Sequence, residues 1–114
     1  MDPADLAPNA RKATALLKAL ANEKRLLVLC LLSQGERAVG DLEAAVGLSQ
    51  SALSQHLARL RADGLVATRR QAQTILYRLA SADAKAVIDT LYALYCGPQR
   101  NDTRKDRARA APGV

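Results

Sequence analysis

The apolar residues of this chain are almost all Ala and Leu. Together these make 42 of the 114 residues, against 6 Val, 2 Ile, 3 Tyr and no Phe or Trp. Ala and Leu lead the helix-propensity scale, while the β-branched and aromatic residues that favour strands are scarce. The chain is therefore expected to fold mainly as helices around an aliphatic core. A hydrophobic fraction of 49% excludes a wholly disordered chain, and the length is that of one domain. No apolar run approaches the roughly 18 residues that span a bilayer, and no signal peptide opens the chain, so the expected compartment is the cytoplasm, with no membrane partner.

The formal net charge of +6 is unevenly placed. In residues 49–80, Arg59, Arg61, Arg69, Arg70 and Arg78 face only Asp63. In residues 97–114, Arg100, Arg104, Lys105, Arg107 and Arg109 face Asp102 and Asp106, and the rest of the chain is nearly neutral. A small, basic, helical domain with localised charge points to nucleic acid. The two cysteines, Cys30 and Cys96, match no zinc ribbon or C-x-x-C motif, and the one histidine, His56, leaves few metal ligands.

Periodicity predicts five helices and a hairpin within residues 9–96, after a disordered stretch 1–8 and before a basic, disordered tail 97–114. The first helix runs from Asn9, its expected N-cap, to about Ala21. Residues Glu23 to Ser33 make a second, whose apolar positions nearly encircle it, so it is expected to be central and buried. A third runs from about Val39 to Val46, with Leu42, Ala45 and Val46 inward. Ser49 caps a fourth, reaching Ala62, with Leu53, Leu57 and Leu60 as an inward stripe. Leu65 to Arg70 and Gln73 to Leu79 have strand character. Ser81 caps the last helix, which runs to Tyr95.

Helix, glycine-containing turn, helix with a polar outer face, then a basic hairpin is the order of a winged helix-turn-helix, mainly α with a small β-hairpin. The major groove admits one α-helix, and short polar side chains read base edges there. Gln50, Ser51, Ser54 and Gln55 are such residues. Arg59 and Arg61 are placed for phosphates, and Arg69, Arg70 and Arg78 for backbone or minor-groove contact. His56 lies beside the leucine stripe and reads as a packed structural histidine.

The segments Gly47-Leu48-Ser49-Gln50-Ser51-Ala52-Leu53-Ser54-Gln55-His56-Leu57, Leu60-Arg61-Ala62-Asp63-Gly64-Leu65-Val66 and Leu20-Ala21-Asn22-Glu23-Lys24-Arg25-Leu26 resemble the ArsR family of bacterial winged-helix repressors. The resemblance covers about residues 10–96. It implies a homodimer built from the first and last helices and a two-fold symmetric double-stranded operator. Metal-sensing members carry Cys-x-Cys in the third helix or Asp and His on the last. Here Arg37-Ala38-Val39-Gly40-Asp41-Leu42 holds no thiol, and the last helix offers Asp83 and Asp89 but no His, so no metal is expected.

Leu29-Cys30-Leu31-Leu32-Ser33-Gln34-Gly35-Glu36, Arg69-Arg70-Gln71-Ala72-Gln73-Thr74-Ile75 and Leu91-Tyr92-Ala93-Leu94-Tyr95-Cys96 look like the BigR/SqrR branch, whose members repress sulfide-detoxification genes and sense reactive sulfur species. The resemblance implies that Cys30 and Cys96 are the sensing thiols. Persulfides would link them within one subunit, by a disulfide or a polysulfide bridge, and weaken DNA binding. Cytosolic disulfides are typically transient and regulatory. On residue spacing alone, Cys30 reads as a small core hydrophobe and Cys96 as an incidental surface thiol. A thiol–disulfide enzyme is disfavoured, because C-x-x-C and a catalytic base are lacking. No cofactor is expected. A regulator answering to haem through Cys30, Cys96 or His56, to general oxidants or to a metal stays as an alternative, as does a family member that senses nothing.

Overall fold

The computed structural model describes residues 1–97. Apart from Gly97, the expected tail 97–114 lies outside the described residues. The elements are α1 (Pro3–Leu6), a 3-10 turn (Ala7–Asn9), α2 (Ala10–Leu20), α3 (Glu23–Leu32), β1 (Arg37–Ala38), α4 (Val39–Val46), α5 (Gln50–Ala62), β2 (Val66–Gln71), β3 (Thr74–Leu79) and α6 (Ala82–Cys96). Residues 1–81 form one compact unit, and a second begins at Ala82. The architecture is a winged helix-turn-helix, mainly helical, with a small antiparallel sheet.

In the first unit the core is aliphatic, as the composition requires. Ala19 and Leu20 of α2, Val28, Leu29 and Leu32 of α3, Leu42 and Val46 of α4, and Leu53, Leu57 and Leu60 of α5 are all buried, as are Leu65 and Val66 where the chain enters β2. Helix α3 packs against α2, α4, α5 and β3, which makes it central. The expected burial holds on one face only: Leu26, Cys30 and Leu31 are half-buried and Leu27 is exposed. Ala45 of α4 is likewise exposed rather than inward.

The sheet has three strands in the order β1-β3-β2, all antiparallel. The third strand was not expected. Arg37 and Ala38, which pair with Tyr77 and Leu76, are too short a run to show alternation. Strand β2 starts at Val66 and not Leu65, because the Leu65 N–H is spent on closing α5: it donates to the Leu60 carbonyl at 2.9 Å while the Gly64 N–H donates to Arg61 at 3.0 Å. This two-bond closure satisfies carbonyls that the helix end leaves open. Gln73 lies in the two-residue hairpin loop with Ala72, between the paired Gln71 and Thr74. Ala72 takes φ 57°, a left-handed conformation that glycine adopts more readily.

Two expectations near the N-terminus also change. Residues 3–9 are helical rather than ragged, because Pro3 opens α1 and the Asp2 carboxylate accepts from the Ala4 N–H at 2.9 Å. The chain then runs through the 3-10 turn into α2 without a break, so Asn9 makes no side-chain capping bond.

In the second unit, α6 buries Ala84 and Ile88 and leaves Tyr92, Leu94 and Tyr95 exposed. Lys85 and Asp89, one turn apart, form an exposed ion pair at 2.9 Å.

Candidate nucleic-acid interface and thiol positions

Helix α5 is set by its two ends and one stripe. Gly47 closes α4 at φ 70°, a left-handed position suited to glycine, and its N–H donates to the Glu43 carbonyl at 3.0 Å. Two residues later the Ser49 Oγ accepts from the Ala52 N–H at 3.2 Å and starts α5. Leu53, Leu57 and Leu60 are 0%, 1% and 0% exposed, so the inward face is fixed. Gln50, Ser51, Ser54, Gln55, Arg59 and Arg61 are all exposed, on a face that runs from beside the leucine stripe round to its far side. At about 100° per residue, Ser51, Ser54 and Gln55 lie towards the middle of that face, with Gln50 and Arg61 on one flank and Arg59 on the other. The helix thus presents donors and acceptors at its centre and guanidinium groups at its edges. Arg59 also meets Asp63 at 3.6 Å, an exposed pair one turn on. His56 is half-buried, between the two faces.

A joint that sequence reading missed holds the helices in place. Asn22 Oδ1 accepts from the Lys24 and Arg25 N–H groups and caps α3. Arg25 is 7% exposed, the one buried charged residue among the described residues. Its Nε donates to the Ala19 carbonyl at 2.8 Å and its Nη2 to the Lys18 carbonyl at 3.1 Å, closing the end of α2. Lys24 Nζ donates to the Val46 carbonyl at 2.9 Å, at the end of α4. Two neighbouring cations of α3 therefore bond carbonyls at the ends of two other helices, where the helix dipole is negative. Burial pushes the Arg25 pKa down, with Arg59 adding to the effect and Asp63 opposing it. Charges at the C-terminal end of α5 are thus felt at the joint. Asn22 ahead of an apolar run was a legible cap; the reach of Arg25 and Lys24 to other helices has no local signal.

The wing is the β2–β3 hairpin. Strand alternation puts Arg69 on the face shared with Leu76 and Arg78, and Arg70 on the face shared with Ile75 and Tyr77. The three wing arginines do not share a face. Arg69 is engaged within the chain: its Nε and Nη2 donate to Glu36 Oε2 and Oε1, both at 2.7 Å. The hydrogen bond from Arg69 holds the Glu36 carboxyl below its usual range, against a smaller opposing effect of desolvation and with help from the charges of Arg69 and Arg78. The same pair raises the Arg69 pKa.

Cys30 lies in the last turns of α3, half-buried, and its carbonyl accepts from Ser33 Oγ at 2.6 Å. Cys96 is the last residue of α6 and is exposed. Each cysteine is thus on the helix expected for it. Among the described residues no group of three or more His, Cys, Asp or Glu is placed to hold a metal ion, and no helix is long and apolar enough to cross a membrane.

Residues 22–68, from the capped joint to the start of the wing, match the family described as bacterial regulatory protein, arsR family. The transcriptional activator HlyU of Vibrio cholerae is 54% identical over 96 residues, covering 84% of this chain and 89% of HlyU. This chain belongs to the ArsR family. As an ArsR-family protein it is a transcriptional regulator with a DNA-binding helix-turn-helix, and the relatives are named as regulators rather than enzymes. The structure of the transcriptional repressor BigR from Xylella fastidiosa superposes with a TM-score of 0.79 at 41% identity, covering 84% of this chain and 98% of that one. A winged helix-turn-helix DNA-binding domain from Mycobacterium bovis, described as homodimeric and as a possible ArsR-family transcriptional regulator, superposes with a TM-score of 0.68 at 35% identity, covering 77% of this chain and 82% of that one. HlyU and BigR place this chain in a BigR-like branch of the family.

Proposed function

We propose that this protein is a homodimeric repressor that binds two-fold symmetric operator DNA when reduced and leaves it when Cys30 and Cys96 become linked. The observation that carries the DNA reading is the outer face of α5. Gln50, Ser51, Ser54 and Gln55 stand exposed on a helix whose opposite side is locked into the core. Arg59 and Arg61 supply phosphate contacts beside them, and the wing arginines add charge. Dimerisation is supported by the exposed apolar residues Leu17 of α2 and Tyr92, Leu94 and Tyr95 of α6, and by the homodimeric relative.

The sensing reading rests on the resemblance to the BigR/SqrR branch and on the positions of the two thiols. An organic persulfide is the co-reactant. Two thiols give up two electrons and two protons as the S–S bond forms, and the persulfide is reduced to a thiol and hydrogen sulfide. A second persulfide leaves an extra sulfur in the bridge. Sulfide-detoxification genes are the targets that this chemistry suits. The cytoplasm is the proposed compartment, and neither metal nor haem is assigned.

The test is an anisotropy titration of a duplex selected by the reduced protein from a random-sequence pool, repeated after treatment with an organic persulfide. Affinity falls and intact mass drops by about 2 Da for a disulfide, or rises by about 32 Da per retained sulfur beyond that. Equal affinity in both states overturns the sensing reading. A second output, activation, is favoured by the 54% identity to a protein named as an activator. A promoter fusion distinguishes the two: deletion of the regulator raises expression under repression and lowers it under activation.

A further inference from the structure

The three arginines of the wing are not equivalent. Arg69 offers Nε and Nη2 to the two oxygens of Glu36, at 2.7 Å each. This is the edge of the guanidinium that matches a phosphate in two parallel bonds. Here a carboxylate of the same chain fills it. Arg78 lies on the same face, and its charge also reaches Glu36. Arg70 lies on the other face, one residue from the two-residue loop, and among the described residues no carboxylate is ion-paired with it.

The pair also connects distant parts of the unit. Glu36 belongs to the turn after α3, just before β1, while Arg69 sits in β2, on the far side of β3 from β1. They are 33 positions apart in sequence. The bond therefore crosses the sheet and ties the outer strand of the hairpin to the end of the central helix.

We propose that Arg69 is a positioning residue and not a phosphate contact: its two-bond pair with Glu36 fixes the hairpin to the turn after α3, and Arg70 is the wing arginine that meets a DNA phosphate. The proposal rests on the DNA-binding reading above. It predicts a division that charge alone does not. A residue that touches phosphate changes the salt dependence of binding, and a strut changes affinity without changing it.

The experiment uses the reduced full-length protein and the selected duplex, titrated over a range of salt concentrations. Arg70→Gln lowers the slope of log K against log salt by about 0.9 for each phosphate that Arg70 neutralises. Arg69→Gln and Glu36→Gln each weaken binding severalfold with the slope unchanged. The double exchange Glu36→Arg with Arg69→Glu recovers the affinity that Arg69→Gln loses, because the pair re-forms with its charges reversed.

Three results overturn the proposal: a fall in slope for Arg69→Gln like that of Arg70→Gln, tighter binding by Glu36→Gln, or no recovery in the double exchange. If no duplex can be selected by the unmodified protein, the DNA-binding reading itself fails, which is a different outcome from loss of the strut with binding intact.

Discussion

The recognition helix and the wing both turn arginines to solvent, but they are held by opposite means. Helix α5 is seated by three leucines with essentially no exposure and closed at both ends by hydrogen bonds. The wing buries Val66 at its root; beyond it, Ile75 is exposed, Ala72 carries a left-handed φ, and an exposed ion pair fixes the hairpin laterally. A base-reading surface must hold side chains to a fixed register, and burial supplies that. A backbone-contacting hairpin tolerates more freedom, because phosphates recur along the duplex. The difference is that basic charge stands on a buried framework in α5 and on a largely exposed hairpin, tied by one ion pair, in the wing.

The largest expected break in this comparison comes from the core. Leu57→Ala removes a buried side chain and is expected to cost about 3 kcal/mol, whereas Ile75→Ala in the wing costs under about 1 kcal/mol. Denaturant titration of both variants measures this, and similar costs would erase the contrast. Arg25→Gln, at the buried joint that closes α2, leaves two carbonyls without their charged donor and is expected to cost about 2 kcal/mol in the same assay. A surface-like loss of a few tenths would mean that the joint does not support the end of α2.

Smaller devices sharpen the contrast. Ser49→Ala removes the cap of α5 and should lose about 1 kcal/mol. Ala72→Gly relieves the hairpin loop and should gain up to about 1 kcal/mol, net of the added freedom of the unfolded chain. A loss on Ala72→Gly would show that the loop is not strained. The smallest effect is the pH response of the wing pair. The folded Glu36 carboxyl has a lowered pKa, so the pair's contribution is present above the ordinary carboxylate value of about 4.3 and is lost as pH falls through the lowered value. The Arg69 side-chain Nε–H, followed by NMR during an acid titration, should shift with a midpoint below that of an exposed glutamate. A midpoint at the ordinary value would dissolve the pair as a wing tether.

Much of the helix-turn-helix was legible because its signals are local. Ser49 as cap and the Leu53, Leu57 and Leu60 stripe act within two or three turns of helix, and α4 and α5 have the bounds expected of them to within a residue. What escaped was long-range. Lys24 bonds a carbonyl 22 positions away and Glu36 meets an arginine 33 positions away, neither of which leaves a trace in periodicity. Strand β1 was missed because two residues carry no pattern, and Asn9 failed as a cap because a preceding 3-10 turn feeds α2 directly. For the same reason the polar face of α5 could be named residue by residue, while the unequal roles of Arg69 and Arg70 became visible only once the strands were paired.

The single-cysteine variants test most directly whether the two thiols govern DNA binding. Cys30→Ser and Cys96→Ser are each titrated onto the selected duplex, reduced and then in the presence of an organic persulfide. Both variants are expected to bind like the unmodified protein when reduced and to stay bound after treatment, if linkage of Cys30 to Cys96 is what releases DNA. Release of either variant to the same extent as the unmodified protein would contradict it.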